Sequence, residues 1–171
     1  MKVRFKILVI SSDLLKSYLT DRYFRVKQVE EYSKLKPIKA GVPQGSVLGP
    51  VLYLIYTSDI PQPAGTTVAT FAGDTAIMAL GTDVKDATDT LQQAADVINT
   101  WTKQWLIKLN EDKSLHVNFT SKMCHYLPIH MNDKTIPHSQ TAKYLGMTLD
   151  AKLRWKVYVK KKRDELGLKY R

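Results

Sequence analysis

The sequence predicts an α+β fold on three observations: a long amphipathic stretch at residues 83–105, an apolar segment at 47–55 just after a Gly/Pro-punctuated turn, and several short β-branched runs bounded by Gly, Pro, Asn and Asp. At 171 residues the chain has the length of one ordinary domain. Its 44% hydrophobic and 25% charged residues place it among globular rather than disordered proteins.

The elements follow in order. Residues 13–20 set Leu14, Leu15, Tyr18 and Leu19 at helical spacing, and residues 23–29 alternate large and charged side chains as a strand does. Residues 34–39 form a second extended stretch that runs into Ala40-Gly41-Val42-Pro43-Gln44-Gly45-Ser46, whose glycines and proline require a turn. Ser46 can cap the helix that follows, in which Pro50 is tolerable only in the first turn. Pro61, Pro63 and Gly65 end that helical region, and residues 66–72 and 75–80 read as two strands. Gly73-Asp74 would join them in a type II′ turn, with Gly73 taking the positive φ. In residues 83–105 the apolar Val84, Ala87, Leu91, Ala94, Ile98, Trp101 and Trp105 step by three or four. Asp83 and Asp86 suit the positive end of that helix and Lys103 the negative end. Short strands are expected at 106–109, 115–119, 128–131 and 143–149, followed by a basic tail.

The formal net charge is +10, and it is concentrated at the ends. Residues 1–40 hold ten basic and four acidic side chains, and residues 151–171 hold nine and two. Such flanks favour a polyanionic partner. Tyr18, Tyr23, Phe24 and Tyr32 interleave with Lys16, Arg22, Arg25 and Lys27, the pattern in which rings stack on bases while cations meet phosphates. Cys124 is the single cysteine, which excludes an internal disulfide framework and a multi-cysteine zinc site. With His125, His130 and His138 it matches no compact metal spacing, so these are expected to be surface residues. The apolar run at residues 7–10 is too short for a secretory segment or a membrane span. The expectation is an intracellular protein of cytoplasm or nucleus, with no membrane partner.

The run Ala40-Gly41-Val42-Pro43-Gln44-Gly45-Ser46-Val47-Leu48-Gly49-Pro50 resembles the signature of reverse transcriptases of non-LTR retrotransposons, in particular jockey-like mobile elements. The resemblance continues through Ser17-Tyr18-Leu19-Thr20-Asp21-Arg22, Asp59-Ile60-Pro61, Thr70-Phe71-Ala72-Gly73-Asp74-Thr75-Ala76, Trp101 to Trp105, Lys143-Tyr144-Leu145-Gly146 and Leu153-Arg154-Trp155. In that family these segments build the palm of a right-hand polymerase, an antiparallel sheet with packed helices, and the thumb begins after the Tyr-Leu-Gly strand. The resemblance implies a partial palm over residues 1–150, with the fingers and the first catalytic strand missing, and a basic, helical, thumb-like start over 151–171.

The family's activity is RNA-directed DNA polymerase chemistry: nucleotidyl transfer from dNTPs to a DNA primer on an RNA template, supported by Mg2+. By this resemblance Pro43, Gln44, Gly45 and Ser46 would contact template and nucleotide, Tyr144, Leu145 and Gly146 would support the primer end, and Lys160, Lys161, Lys162 and Arg163 would meet the backbone of an RNA–DNA hybrid. Lys113 would approach the leaving pyrophosphate as a catalytic cation, although a surface lysine after Asn110-Glu111-Asp112 is an equal reading. Asp74 would be a catalytic metal ligand. The family turn reads aromatic-Ala-Asp-Asp, whereas this one reads Phe71-Ala72-Gly73-Asp74. Two Mg2+ ions about 3.5 to 4 Å apart need several converging carboxylates. Gly73 stands where the first aspartate is expected, and no Asp-bearing palm strand precedes the Gly41 turn. Asp13 matches the helix after that strand instead. Loss of catalysis is therefore expected, leaving a non-catalytic nucleic-acid-binding remnant or a non-functional pseudogene product as alternatives.

Overall fold

The computed structural model describes residues 10–121 and 125–169, so Cys124 and the apolar run at 7–9 lie outside the described residues. The fold is mixed helix and sheet, as expected, and the strands among the described residues pair as five separate two-stranded antiparallel ladders. The chain divides into two compact units between Tyr56 and Thr57.

The first unit contains helix α1 (Ile10–Leu19), a long hairpin and helix α2 (Leu48–Tyr56). The expected single strand at 23–29 is two short ones, β1 (Tyr23–Phe24) and β2 (Lys27–Gln28), and the chain returns through β3 (Glu31–Tyr32) and β4 (Lys36–Pro37). Tyr23 and Phe24 face Pro37 and Lys36, and Lys27 and Gln28 face Tyr32 and Glu31. The Val26 N–H is accepted by the Ser33 hydroxyl and the Val26 carbonyl accepts from the Ser33 N–H, each at 2.9 Å. Lys34 and Leu35 thus both oppose Arg25, which is a β-bulge that bends the hairpin. Gly49 is the one buried residue among the described residues of this unit. The apolar face of α2 is consequently open, with Leu54 62% exposed.

The second unit is built on α3 (Val84–Gln104). Asp83 caps it by accepting from the Asp86 N–H at 2.8 Å, and the Asp86 carboxylate reaches back to the Thr82 N–H at 2.9 Å. This reciprocal arrangement satisfies two donors at once, the logic of a capping box. Its apolar stripe packs on the hairpin of β5 (Thr66–Phe71) with β6 (Asp74–Ala79), and on that of β7 (Ile129–Met131) with β8 (Lys134–Ile136). Ala95, Ile129 and Ile136 are buried together, with Leu91 and Met131 packed against them. The Gln92 amide both donates to the His130 carbonyl at 3.0 Å and accepts from its N–H at 2.8 Å, so one side chain completes the edge of β7. Trp101 Nε1 donates to Asp59 at 3.2 Å and pins the loop that leads into β5. Gly81 is required by proximity, because a Cβ there would stand 2.8 Å from Ala87 Cα in the first turn of α3.

Several expectations are corrected. The stretch at 106–109 is irregular, since Leu106 turns into the left-handed region at φ 54° as α3 ends. Of residues 115–119 only His116 bridges, in parallel to His138, because no extended neighbour lies alongside the rest. The stretch at 143–149 is a hairpin, β9 (Thr141–Tyr144) and β10 (Met147–Asp150), turning at Leu145-Gly146. Helix α4 (Lys156–Lys169) follows and packs against β10.

Replacing Ile136 with alanine removes one of the few large buried side chains and leaves a cavity beneath α3. Urea unfolding should show a loss of about 2 to 4 kcal/mol. A loss below about 0.5 kcal/mol would mean that this cluster is not the core of the second unit.

Candidate functional site

The turn at 40–46 belongs to the first unit. Gly41 and Gly45 adopt φ of 83° and 82°, conformations that side chains enter only with strain. Arg22 spans the base of the turn, its Nη2 donating to the Gly41 carbonyl and its Nε to the Leu19 carbonyl at 3.1 Å. The Ser46 hydroxyl accepts from the Gly49 N–H at 3.0 Å, so the expected cap forms. Gly49 is packed so tightly that a Cβ would lie 2.9 Å from Ser46 Oγ. Pro43, Gln44 and Gly45 are exposed, and the Gln44 amide forms no hydrogen bond among the described residues. A free amide on a fixed turn can read a base edge or a sugar by hydrogen bonding.

The other expected residues lie in the second unit. The β5–β6 hairpin closes with Phe71 opposite Asp74, so its two turn residues are Ala72 and Gly73 rather than Gly73 and Asp74. The left-handed position falls to Ala72, at φ 49°, and not to glycine. Asp74 sits at the first position of β6, exposed, with a carboxylate that has no hydrogen bond or ion pair among the described residues. Nothing lies within 4 Å of where a Cβ on Gly73 would stand. Among the described residues no three His, Cys, Asp or Glu side chains converge where a metal could be held. Asp74 alone does not fit the several-carboxylate set that two divalent ions require.

The Tyr144-Leu145-Gly146 turn is brought to the same hairpin. Tyr144 Oη lies 3.5 Å from the Ala69 carbonyl on β5, a contact at the long limit of a hydrogen bond. Leu145 and Gly146 both have positive φ, 47° and 80°, and the leucine pays strain that asparagine or glycine would avoid. Lys113 ends a 3-10 turn, Glu111–Lys113, that is attached elsewhere. Glu111 accepts from Asn132 Nδ2 at 2.6 Å, and Asp112 pairs with Lys134 at 3.3 Å, which fixes the turn to β7 and β8. The Asn132 hydrogen bond holds the Glu111 carboxyl below its usual range. Lys113 is exposed, and no bond joins it to Asp74 among the described residues.

Helix α4 carries Lys160, Lys161, Lys162 and Arg163. Lys161 and Lys162 share Glu165, at 3.9 and 2.8 Å, and that carboxylate holds the Lys162 ammonium above its usual range. Lys160 and Arg163 make no ion pair among the described residues and are the open cations of the four. What fixes this helix is not readable from residue order. The Asp150 carboxylate accepts from the backbone N–H groups of Lys152 and Arg154 at 3.1 Å and of Trp155 at 2.8 Å. The Leu153 N–H donates to the Asp150 carbonyl at 2.7 Å, and Leu153 and Trp155 take left-handed conformations, φ 50° and 61°, as the chain turns around the carboxylate. An acid six residues ahead of the helix is the only linear signal, and it is diluted by the irregular backbone between.

His116 is buried, and burial followed by the neighbouring His138 pushes its pKa down. His138 stacks on Tyr126 with ring centroids 4.4 Å apart. No helix among the described residues is long and apolar enough to cross a membrane.

The family model described as reverse transcriptase (RNA-dependent DNA polymerase) matches residues 2–149. The chain is 38% identical over 148 residues to the RNA-directed DNA polymerase from mobile element jockey of Drosophila melanogaster, covering 82% of this chain and 16% of that protein. It is 38% identical over 161 residues to the probable RNA-directed DNA polymerase from transposon X-element of Drosophila melanogaster, covering 91% and 18%. A jockey polymerase of Drosophila funebris is 36% identical over 154 residues, covering 85% and 17%. The chain thus spans less than one fifth of the length of these relatives. No solved structure matches it.

Backbone N–H donation, led by Arg154, lowers the Asp150 pKa. A depressed carboxylate stabilises its fold fully above the unfolded pKa and loses that contribution as pH falls through the folded value. Protection of the Lys152, Arg154 and Trp155 amides, relative to the exchange of an unstructured chain at the same pH, should therefore persist at about pH 4, where an ordinary aspartate is half protonated, and be lost only below it. Asp150→Ala should exchange at least about tenfold faster at neutral pH. Equal protection in the variant would show that the carboxylate does not anchor α4.

Proposed function

Since this chain belongs to the reverse transcriptase (RNA-dependent DNA polymerase) family, we propose that it carries part of a jockey-like retrotransposon palm whose RNA-templated DNA synthesis has been lost while nucleic-acid binding persists. The carrying observation is the β5–β6 turn, where Gly73 occupies the place of a metal-binding aspartate and Asp74 stands alone. In the family the turn would help hold two Mg2+ ions that activate the primer hydroxyl and neutralise charge on the transferred phosphoryl group. A lone exposed carboxylate supplies too few oxygens for that task, and several kcal/mol of transition-state stabilisation is absent in consequence, on the order of 10²-fold or more in rate.

The other roles follow the family pattern. Pro43, Gln44, Gly45 and Ser46 form the template and nucleotide turn, and the free Gln44 amide supports that assignment. Tyr144, Leu145 and Gly146 support the primer end, consistent with the Tyr144 contact to the metal-turn hairpin. Lys113 is assigned to the leaving pyrophosphate on resemblance alone. Residues 1–150 are read as palm and 151–171 as the start of the thumb, where Lys160 and Arg163 meet the phosphates of an RNA–DNA hybrid. A nucleic-acid partner and a single cysteine fit an intracellular setting, cytoplasm or nucleus.

Two measurements test this reading. Lys160→Ala with Arg163→Ala should weaken hybrid binding and reduce the slope of log K against log salt by about two. An unchanged slope would remove α4 from the interface. Gly73→Asp should melt like the unmodified chain, because the new side chain meets open space. It should also bind Mn2+ about tenfold more tightly, as a second carboxylate joins Asp74. Identical Mn2+ affinity in the two proteins would show that position 73 is not part of a metal turn.

A further inference from the structure

The hairpin from Arg22 to Ile38 has two unlike faces. Arg25 and Lys27 lie over the ring of Tyr32, with the guanidinium carbon 4.0 Å and the ammonium 5.5 Å from its centroid. The bulge at Lys34-Leu35 opposes Arg25 and lets its side chain lean along the hairpin toward Tyr32. By strand alternation Tyr23 joins this side, and Phe24 and Val26 fall on the other. Tyr23 is 59% and Tyr32 50% exposed. The two rings sit at positions about 13 Å apart along the strand, four residues at about 3.3 Å each.

The cations are open. Arg25 makes no ion pair among the described residues, and the same holds for Lys34, Lys36 and Lys39 on the return strand. Lys27 meets Glu30 at 3.9 Å with both side chains largely in water, an arrangement that holds little of its charge. At the tip, Val29 is 83% exposed and sits at φ 55°, a strained conformation for a β-branched residue.

We propose that the Tyr23–Arg25–Lys27–Tyr32 face binds single-stranded nucleic acid, an inference that rests on reading the chain as a nucleic-acid protein and adds a surface that reading does not use. Burying this face against protein would desolvate Arg25, which has no partner acid among the described residues, together with Lys27, whose contact with Glu30 is long and exposed, and that is costly. A polyanion neutralises them instead. Arginine stacked on tyrosine keeps its N–H edge available for phosphate, and the exposed half of Tyr32 together with Tyr23 offers aromatic surface to bases. Duplexes hide their bases, so the rings select single strands. RNA and DNA share the phosphates and ring faces this chemistry recognises.

The test is fluorescence anisotropy on the full chain with labelled 12-mer RNA and DNA of one sequence, and with an RNA–DNA hybrid, across a salt series. Tyr32→Leu should weaken single-strand binding about tenfold at unchanged salt slope, and Tyr32→Phe should restore it. Arg25→Ala should weaken it and lower the slope by about one. Hybrid binding, assigned to α4, should stay within about twofold in all three. Stronger binding of the RNA 12-mer would assign the face to template, and of the DNA 12-mer to a displaced or primer strand; either supports a single-strand platform. Binding of single strands by the unmodified chain with wild-type affinity and slope in both Tyr32→Leu and Arg25→Ala would overturn the platform and leave the family reading standing. Absence of binding to single strands and hybrid alike would overturn both.

Discussion

A divalent ion that must hold two reacting oxygens needs acidic oxygens delivered to one point by the backbone, and a two-residue hairpin turn allows only a few side chains to reach that point. In the reading proposed above, the β5–β6 turn would meet the geometric half of this requirement. Its register, Phe71 against Asp74, puts Asp74 at the mouth of β6, and Tyr144 ties a second turn to the same hairpin. The chemical half depends on what occupies position 73. Glycine there leaves open space, and its conformational freedom goes unused because the left-handed residue is Ala72. A glycine forced by the backbone would have been expected at position 72. The backbone therefore does not demand glycine at position 73, and the proposed loss of chemistry there is not a response to strain.

The positive charge is organised in two separate ways. On α4 it rides on a regular helix whose start is held by the Asp150 carboxylate and three backbone N–H groups. Glu165 holds Lys162 at 2.8 Å and touches Lys161 only at 3.9 Å, so Lys160 and Arg163 carry the charge least shared with an acid. On the hairpin of the first unit the charge is placed over an aromatic ring by a bulge. A run of four basic residues in a sequence therefore overstates the charge available to a phosphate, and a scattered set of cations understates it.

Much of this was legible in the sequence where a single physical rule dominates. The period of Val84, Leu91, Ala94, Ile98 and Trp101 fixed α3, Asp83 marked its start, and Ser46 marked the start of α2. Strand pairing was less legible. Residues 106–109 have strand composition and no partner, and β8 went unread because Lys134-Thr135-Ile136 is short. The hairpins at 72–73 and 145–146 turn on Ala72 and Leu145, residues that no turn preference would select, and so their positions were missed or shifted by one. The family was legible as residue types in a known order, and the roles of single residues remain those proposed above. Asp150 was not legible, because its role depends on where three N–H groups point after two left-handed residues.

The account turns on the claim that the turn at Phe71-Ala72-Gly73-Asp74 no longer supports metal-assisted nucleotidyl transfer. Templated extension of a labelled DNA primer on RNA, with dNTPs and either Mg2+ or Mn2+, tests it most directly on the purified 171-residue chain. The account predicts no nucleotide added above a control lacking protein. Template-directed addition that disappears in Asp74→Asn would contradict it, by showing that one carboxylate in this turn suffices for the chemistry.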